Sequence, residues 1–162
     1  TMKAIVLGRF GGYDAFELRD VPVPSVGPRQ VRVRVHATAI NPLDYQIRRG
    51  DYPDYVPLPA VIGHDVSGVV EEKGVYVSEF DVGDEVYYTP KIFGALGSYA
   101  EQHVADVDLV ARKPHNIDHV QNSSKPKGNV TTKLFHGSHR NSAPIVRMTN
   151  AQPASVHSIT GN

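Results

Sequence analysis

His64 and Asp65 stand side by side in AVIGHDVSGVVEEKGVYVSEFDVGDEV, residues 60 to 86. An imidazole next to a carboxylate can begin a metal site or a proton-transfer pair. A catalytic zinc needs three protein ligands and a water. The chain has no cysteine, and no second convergent pair of ligand residues is evident. Adjacent residues of an extended segment point to opposite faces, so His64 and Asp65 cannot both bind one ion unless Gly63 bends the chain. Two readings follow. His64 lines a cofactor cleft without a metal, or it is a structural histidine bonded to backbone, with Asp65 satisfying nearby amides.

Asn41, Asp44, Tyr45, Gln46 and Arg48 form a second constellation within eight residues. An asparagine amide donates and accepts at once, which suits a nicotinamide carboxamide or a ribose hydroxyl. Tyr45 offers a flat ring with a phenolic donor. Arg48 or Arg49 can meet a phosphate or a substrate oxygen. The plainer alternative is a turn opened by Asn41-Pro42, a short helix capped by Asp44, and solvated arginines. His115, His119, His136 and His139 are either a metal tract or a scatter of surface histidines, since their spacing matches no tight site. GHDVSG is not GxGxxG, and no GxxxxGK[ST] loop or GxSxG elbow occurs. Phosphate cradling and serine hydrolysis therefore have no motif here.

Length and composition bound the rest. One ordinary domain fits 162 residues, and a hydrophobic fraction of 40% suffices for a core. Seventeen basic and seventeen acidic side chains give zero net charge, with no polybasic run. Nucleic acid and anionic membrane surfaces are thus not expected partners. The apolar runs fall well short of the roughly 18–20 residues that span a bilayer. No secretory signal is expected, and Thr1 ahead of Met2 reads as a processing scar. Cysteine's absence excludes disulfides, thiolate nucleophiles and cysteine-ligated metals. A cytoplasmic protein is the expectation.

The elements that must position these residues read mainly as strands. Val31, Val33 and Val35 alternate with Arg32, Arg34 and His36, so the valines are expected inward and the others toward a rim. Met2 to Leu7, Phe16 to Val21, Val66 to Val70, Val86 to Tyr88, Ser98 to Val104 and Val107 to Ala111 supply further strands, punctuated by glycine and proline. Pro42 to Arg49, stopped by Gly50, suits one or two helical turns. Dense short strands of this kind predict a mainly β, partly open barrel with short helices. Residues 121–142 are polar and read as a loop or disordered linker; only 143–148 resembles a strand, and the final stretch is either that appended strand or without order.

Taken in order, MKAIVLGRFGG, VPVPSVGPRQVRVRVHATAINPLDYQIRRG, LPAVIGHDVSGVVEEKGVYVSEFDVGDEVY, GSYAEQHVA and LVARKP resemble one family over residues 2 to 119. The resemblance is to the N-terminal GroES-like domain of the medium-chain dehydrogenase/reductase superfamily, in its zinc-independent, zeta-crystallin-like quinone oxidoreductase branch. Where zinc alcohol dehydrogenases carry a cysteine ligand, this chain has Asn41. Leu43 replaces their hydroxyl residue and Gln46 their relay histidine. Their Gly-His-Glu ligand histidine persists as His64, with Asp65 in place of the glutamate. No metal is therefore implied.

What the resemblance does imply is hydride transfer from NADPH to a quinone or enone, in a cleft walled by Asn41, Asp44, Gln46 and Arg48, with Tyr45 and His64 toward the cofactor. It also implies a GroES-like catalytic domain over residues 1–120 and a tail, 121–162, outside the family pattern. Members of the family run to about twice this length and continue into a dinucleotide-binding Rossmann domain. The expectation is a truncated or frameshifted ending, little turnover by the chain alone, and a sheet edge left for the 143–148 strand or a homo-oligomer to cover. The alternative is a non-enzymatic GroES-like binding or oligomeric structural module.

Overall fold

The computed structural model describes residues 1–124, 145–147 and 156–157. Its centre is a ten-residue strand, β3 (Gln30–Ala39), which follows β1 (Met2–Leu7) and β2 (Phe16–Val21). Helix α1 (Pro42–Arg49), β4 (Ala60–Val61), β5 (Val66–Lys73), β6 (Glu85–Tyr88), β7 (Gln102–Asp106), β8 (Ala111–Arg112), α2 (His119–Ser124), β9 (Ile145–Arg147) and β10 (Val156–His157) complete the order. One sheet runs β2-β1-β4, and the other β10-β9-β3-β5-β6-β8 with β7 also on β3. All of the pairings are antiparallel. Among the described residues no helix is long and apolar enough to cross a membrane.

The alternation in β3 sets the register. Val31, Val33 and Val35 are buried in one cluster with Val66, Val70, Val86 and Phe80. Burying each such side chain stabilises the fold by roughly 1.5–3 kcal/mol. Arg32 and Arg34 lie on the other face and pair with Glu72 at 2.6 Å and Glu71 at 2.8 Å across the β3–β5 ladder. The ladder shifts register between Arg32 and Val33 and again between Val35 and Ala37, the irregularity that bends a strand toward closure. Gly68 faces that stretch, and a Cβ there would sit 2.1 Å from the Arg34 carbonyl oxygen. The two sheets meet where Ile5 N–H donates to Tyr99 O at 2.8 Å and Glu101 N–H to Lys3 O at 3.0 Å.

Several elements differ from expectation. The strand predicted over 98–104 begins only at Gln102. Residues 98–101 instead pass between the sheets, with one bridge from Ala100 to Ala4. The strand predicted over 107–111 is a 3-10 turn, Val107–Leu109, followed by the two-residue β8. His64 and Asp65 lie in the connection between β4 and β5, not within a strand. The linker predicted from 121 starts as helix α2, because polar residues with no apolar face still dock when their hydrogen bonds are met inside. Asn122 and Ser123 are buried, and Asn122 Nδ2 donates to Ser67 Oγ at 3.3 Å. Within the predicted 143–148 strand, Ile145–Arg147 forms β9, which pairs with Ala37–Ala39 on the β3 edge beyond β7, and its other residues lie outside the described ones. Residues 125–144, which hold the rest of the predicted linker with His136 and His139, lie outside the described residues.

Val33→Asp should abolish folding, because it places an unpaired carboxylate in the fully buried cluster. Arg34→Ala removes one half-exposed ion pair and should cost no more than about 1 kcal/mol. Urea melts compare them, and equal midpoints would show the strand to be misplaced.

Candidate active-site cleft

Helix α1 begins as its sequence demands. Asn41 is the N-cap in extended conformation, and Pro42 fills the first turn. Gly50 ends the helix at φ 93°, the left-handed region that glycine adopts without strain. Asp44, Ile47 and Arg48 recur at helical spacing and form the buried face.

Asp44 is the most heavily engaged of these, at 2% exposure. Its Oδ2 accepts the Asn41 backbone N–H at 2.7 Å and the Tyr99 hydroxyl at 3.0 Å. Its Oδ1 lies 2.6 Å from His64 Nδ1. The other ring nitrogen, Nε2, lies 3.1 Å from the Ile92 carbonyl oxygen. Both partners of His64 are acceptors, an arrangement that is complete when each ring nitrogen carries a proton. Burial works against that charge, but the Asp44 hydrogen bond and charge, aided by the Ile92 carbonyl and Asp65, outweigh it and raise the His64 pKa above its ordinary 6.5. Beside it, Asn41 Nδ2 donates to Asp65 Oδ2 at 2.7 Å. Burial and the adjacent Asp44 charge push the Tyr99 phenol far up, so it stays a donor.

Gly63, at φ 109°, turns the chain so that His64 reaches this network. A Cβ there would meet Ser98 Oγ at 2.4 Å. Next to the network is a cleft of about 380 Å³ whose walls include Ile47, Val56, His64, Lys91, Phe93 and Leu96. Its loop is pinned twice. His64 holds it at Ile92, and His103 Nε2 donates to Leu96 O at 2.8 Å. His103 Nδ1 accepts from the Tyr88 hydroxyl at 2.8 Å, and burial lowers this histidine's pKa to about 4, so it is neutral.

Among the predicted site residues, the structure gathers Asn41, Asp44 and His64 into one hydrogen-bonded group with Asp65, and His64 alone of them lines the cleft. Tyr45 is exposed on the outer helix face, with the Arg49 guanidinium 5.5 Å from its ring centroid. Arg48 is buried with its guanidinium 4.2 Å from the Tyr13 ring centroid. Gln46 is half-buried and does not line the cleft. Tyr99, Lys91 and Phe93 were not legible as site residues. Only the GSYA block marked the neighbourhood of Tyr99, and nothing in the sequence joins it to Asp44, 55 residues away.

The sequence profile of the alcohol dehydrogenase GroES-like domain matches residues 27–115. The chain belongs to this family. The zeta-crystallin-like resemblance agrees with its relatives. An NADPH-dependent alkenal/one oxidoreductase, chloroplastic, of Arabidopsis thaliana is 38% identical over 135 residues, covering 77% of this chain and 34% of the relative. A quinone oxidoreductase of Pseudomonas aeruginosa is 37% identical over 134 residues, covering 82% and 40%. The crystal structure of an alcohol dehydrogenase superfamily protein from Novosphingobium aromaticivorans superposes with a TM-score of 0.73 at 38% identity, covering 78% of this chain and 38% of that one. The chain thus spans about a third to two fifths of the length of these GroES-like relatives.

Asp44→Ala leaves the buried His64 without its counter-charge and should cost about 3–5 kcal/mol. The raised His64 pKa makes the pair's contribution fullest below about 6.5, and it declines as pH rises through the elevated native value. The stability gap between wild type and Asp44→Ala in urea melts should therefore narrow from pH 6 to pH 9. A gap that widens would contradict the pairing.

Proposed function

We propose that this chain forms the catalytic-domain wall of an NADPH-dependent oxidoreductase that reduces a quinone or an enone. The observation that carries this reading is the His64–Asp44 pair, which sets an imidazole of raised pKa in the wall of a largely apolar cleft while its carboxylate partner stays behind that wall. The activities for which the relatives are named support it in kind. When bound, the dihydronicotinamide supplies the hydride, and no protein nucleophile is needed. The cleft's apolar walls suit the flat reactive end of that cofactor together with a flat acceptor. The phosphate end needs a glycine-rich turn opening a helix, and residues 1–124 contain no GxGxxG. In this reading the pyrophosphate is held outside those residues.

Each residue then has a stated task. The His64 imidazolium favours the negative charge that develops on the acceptor oxygen. Asp44 is a positioning residue that holds His64 charged and oriented, and Tyr99 and the Asn41 amide hold Asp44. Asn41 fixes Asp65, while Gln46, Arg48 and Tyr45 flank the site without entering the cleft. Zinc does not fit these residues. Both nitrogens of His64 are committed to acceptors, and among the described residues no three histidine, cysteine, aspartate or glutamate side chains gather to hold a metal. A cytoplasmic location belongs to the same reading.

A second reading, a non-enzymatic GroES-like binding or oligomeric module, draws on one observation: β9 already covers the Ala37–Ala39 edge of β3. A domain graft separates the two. Residues 1–115 of this chain, exchanged for the matching part of the Pseudomonas aeruginosa quinone oxidoreductase, should give a folded enzyme that oxidises NADPH in the presence of a naphthoquinone. His64→Ala should lower that rate about tenfold, less than the roughly 10²–10³ that a direct oxyanion donor supplies, because both His64 nitrogens are committed to Asp44 and Ile92. A folded graft that binds NADPH and reduces no quinone would favour the module.

A further inference from the structure

The cleft has one aromatic side. Tyr55 and Phe93 both line it, from separate stretches of the chain. Tyr55 follows α1, and Phe93 lies in the loop between β6 and β7. Their ring centroids are 5.1 Å apart, with the planes tilted by 32°. A guest ring needs about 3.5–4.0 Å on each side, so none fits between them. The pair is therefore one aromatic wall and not a clamp. Tyr52 backs it, with its ring centroid 5.7 Å from that of Phe93. Both halves are held in place. The Tyr55 N–H donates to Tyr52 O at 3.2 Å, and the next residue, Val56, is buried with Ile47 and Ile62. Phe93 packs on the same cluster, and it follows the Ile92 carbonyl that His64 grips. Burial does not account for Tyr55, which is 62% exposed. Apart from His64 and Lys91, the other lining residues are aliphatic or glycine.

We propose that Tyr55 and Phe93 determine specificity, and that the acceptor they select is a fused-ring quinone and not an aliphatic enone or alkenal. The proposal rests on the reductase reading, and it chooses between the two acceptor classes for which the relatives are named. An aliphatic acceptor gains only buried area from such a wall. A quinone ring is electron-poor, whereas the face of a phenol or phenyl ring is negative, so the two attract when offset-stacked. A fused second ring extends the overlap and adds no rotatable bond, so little ordering cost comes with it. One such aromatic pair is worth about fivefold in affinity beyond the area buried. Tyr55 and Phe93 act on the binding of the acceptor and carry no step of the chemistry.

NMR titrations of the full 162-residue chain test this with two probes. One is dimethylnaphthoquinone, whose quinone carbons are both blocked against addition by lysine. The other is isophorone, an aliphatic enone. The naphthoquinone should shift the Tyr55 and Phe93 ring signals saturably and bind at least about fivefold more tightly than isophorone. Tyr55→Leu and Phe93→Leu keep apolar bulk and lose the ring face. Each should weaken the naphthoquinone about fivefold, change any isophorone binding less than about twofold, and leave the β3 amide signals unmoved. Tyr55→Phe should bind as wild type does. Isophorone bound as tightly as the naphthoquinone, a naphthoquinone that shifts neither ring, or wild-type affinity in Tyr55→Leu would each overturn the proposal. If Phe93→Leu disturbs its loop, Tyr55→Leu alone decides. The grafted enzyme keeps the two readings apart. Naphthoquinone bound at the wall but not reduced counts against the reductase. Reduction whose KM is unchanged by Tyr55→Leu counts against the wall.

Discussion

The structure around the cleft depends on a single buried carboxylate. Asp44 sits in α1, yet its partners come from the residue before that helix, the β4–β5 connection and the segment ahead of β7. A carboxylate at 2% exposure is tolerated only when its oxygens are fully bonded and its charge is matched. Meeting that demand brings Asn41, His64 and Tyr99 together, although they are distant in sequence. The cleft is what lies beside them. His64 carries the constraint onward to Ile92 and thus into the loop that walls the cleft.

The barrel and the polar network have different roles. Buried valines on β3, β5 and β6 form one of the apolar clusters that stabilise the fold, and they do so without direction. The polar network contributes geometry instead. His64 and His103 fasten the same loop, and their surroundings shift their pKa values in opposite directions. His64 faces two acceptors, which favours its cation, and His103 faces an acceptor on one side and the Tyr88 hydroxyl on the other, which suits the neutral ring. Close backbone approach adds a second constraint. A Cβ on Gly97 would lie 2.2 Å from the Ile62 carbonyl carbon, so the loop can lie against the β4 end only with glycine there.

Much of the fold was legible because period-two alternation and glycine or proline punctuation are local signals. Val31, Val33 and Val35, the cap and stop of α1, and the strand at 145–147 all followed from them. The segments that failed are those whose form is set by distant partners. Residues 98–101 read as a strand because they run without a glycine or proline into the β7 sequence, but they bond to β1 and to the β4–β5 connection in turn. Helix α2 has no apolar face, and its docking depends on Ser67 and Glu85, which no pattern within 115–124 reveals. The site was half legible. Asn41, Asp44 and His64 stood out by type and by family resemblance, whereas Tyr99 and the outward turn of Tyr45 depend on tertiary geometry.

The protonation state of His64 tests the account most directly, and nitrogen NMR of the ring reads it. At pH 6.5, the midpoint for an ordinary histidine, the account predicts a ring that is mostly imidazolium, both nitrogens protonated, and unaffected by stoichiometric zinc. A ring that is mostly a single neutral tautomer at that pH, or one whose nitrogen shifts move on adding zinc, would contradict it.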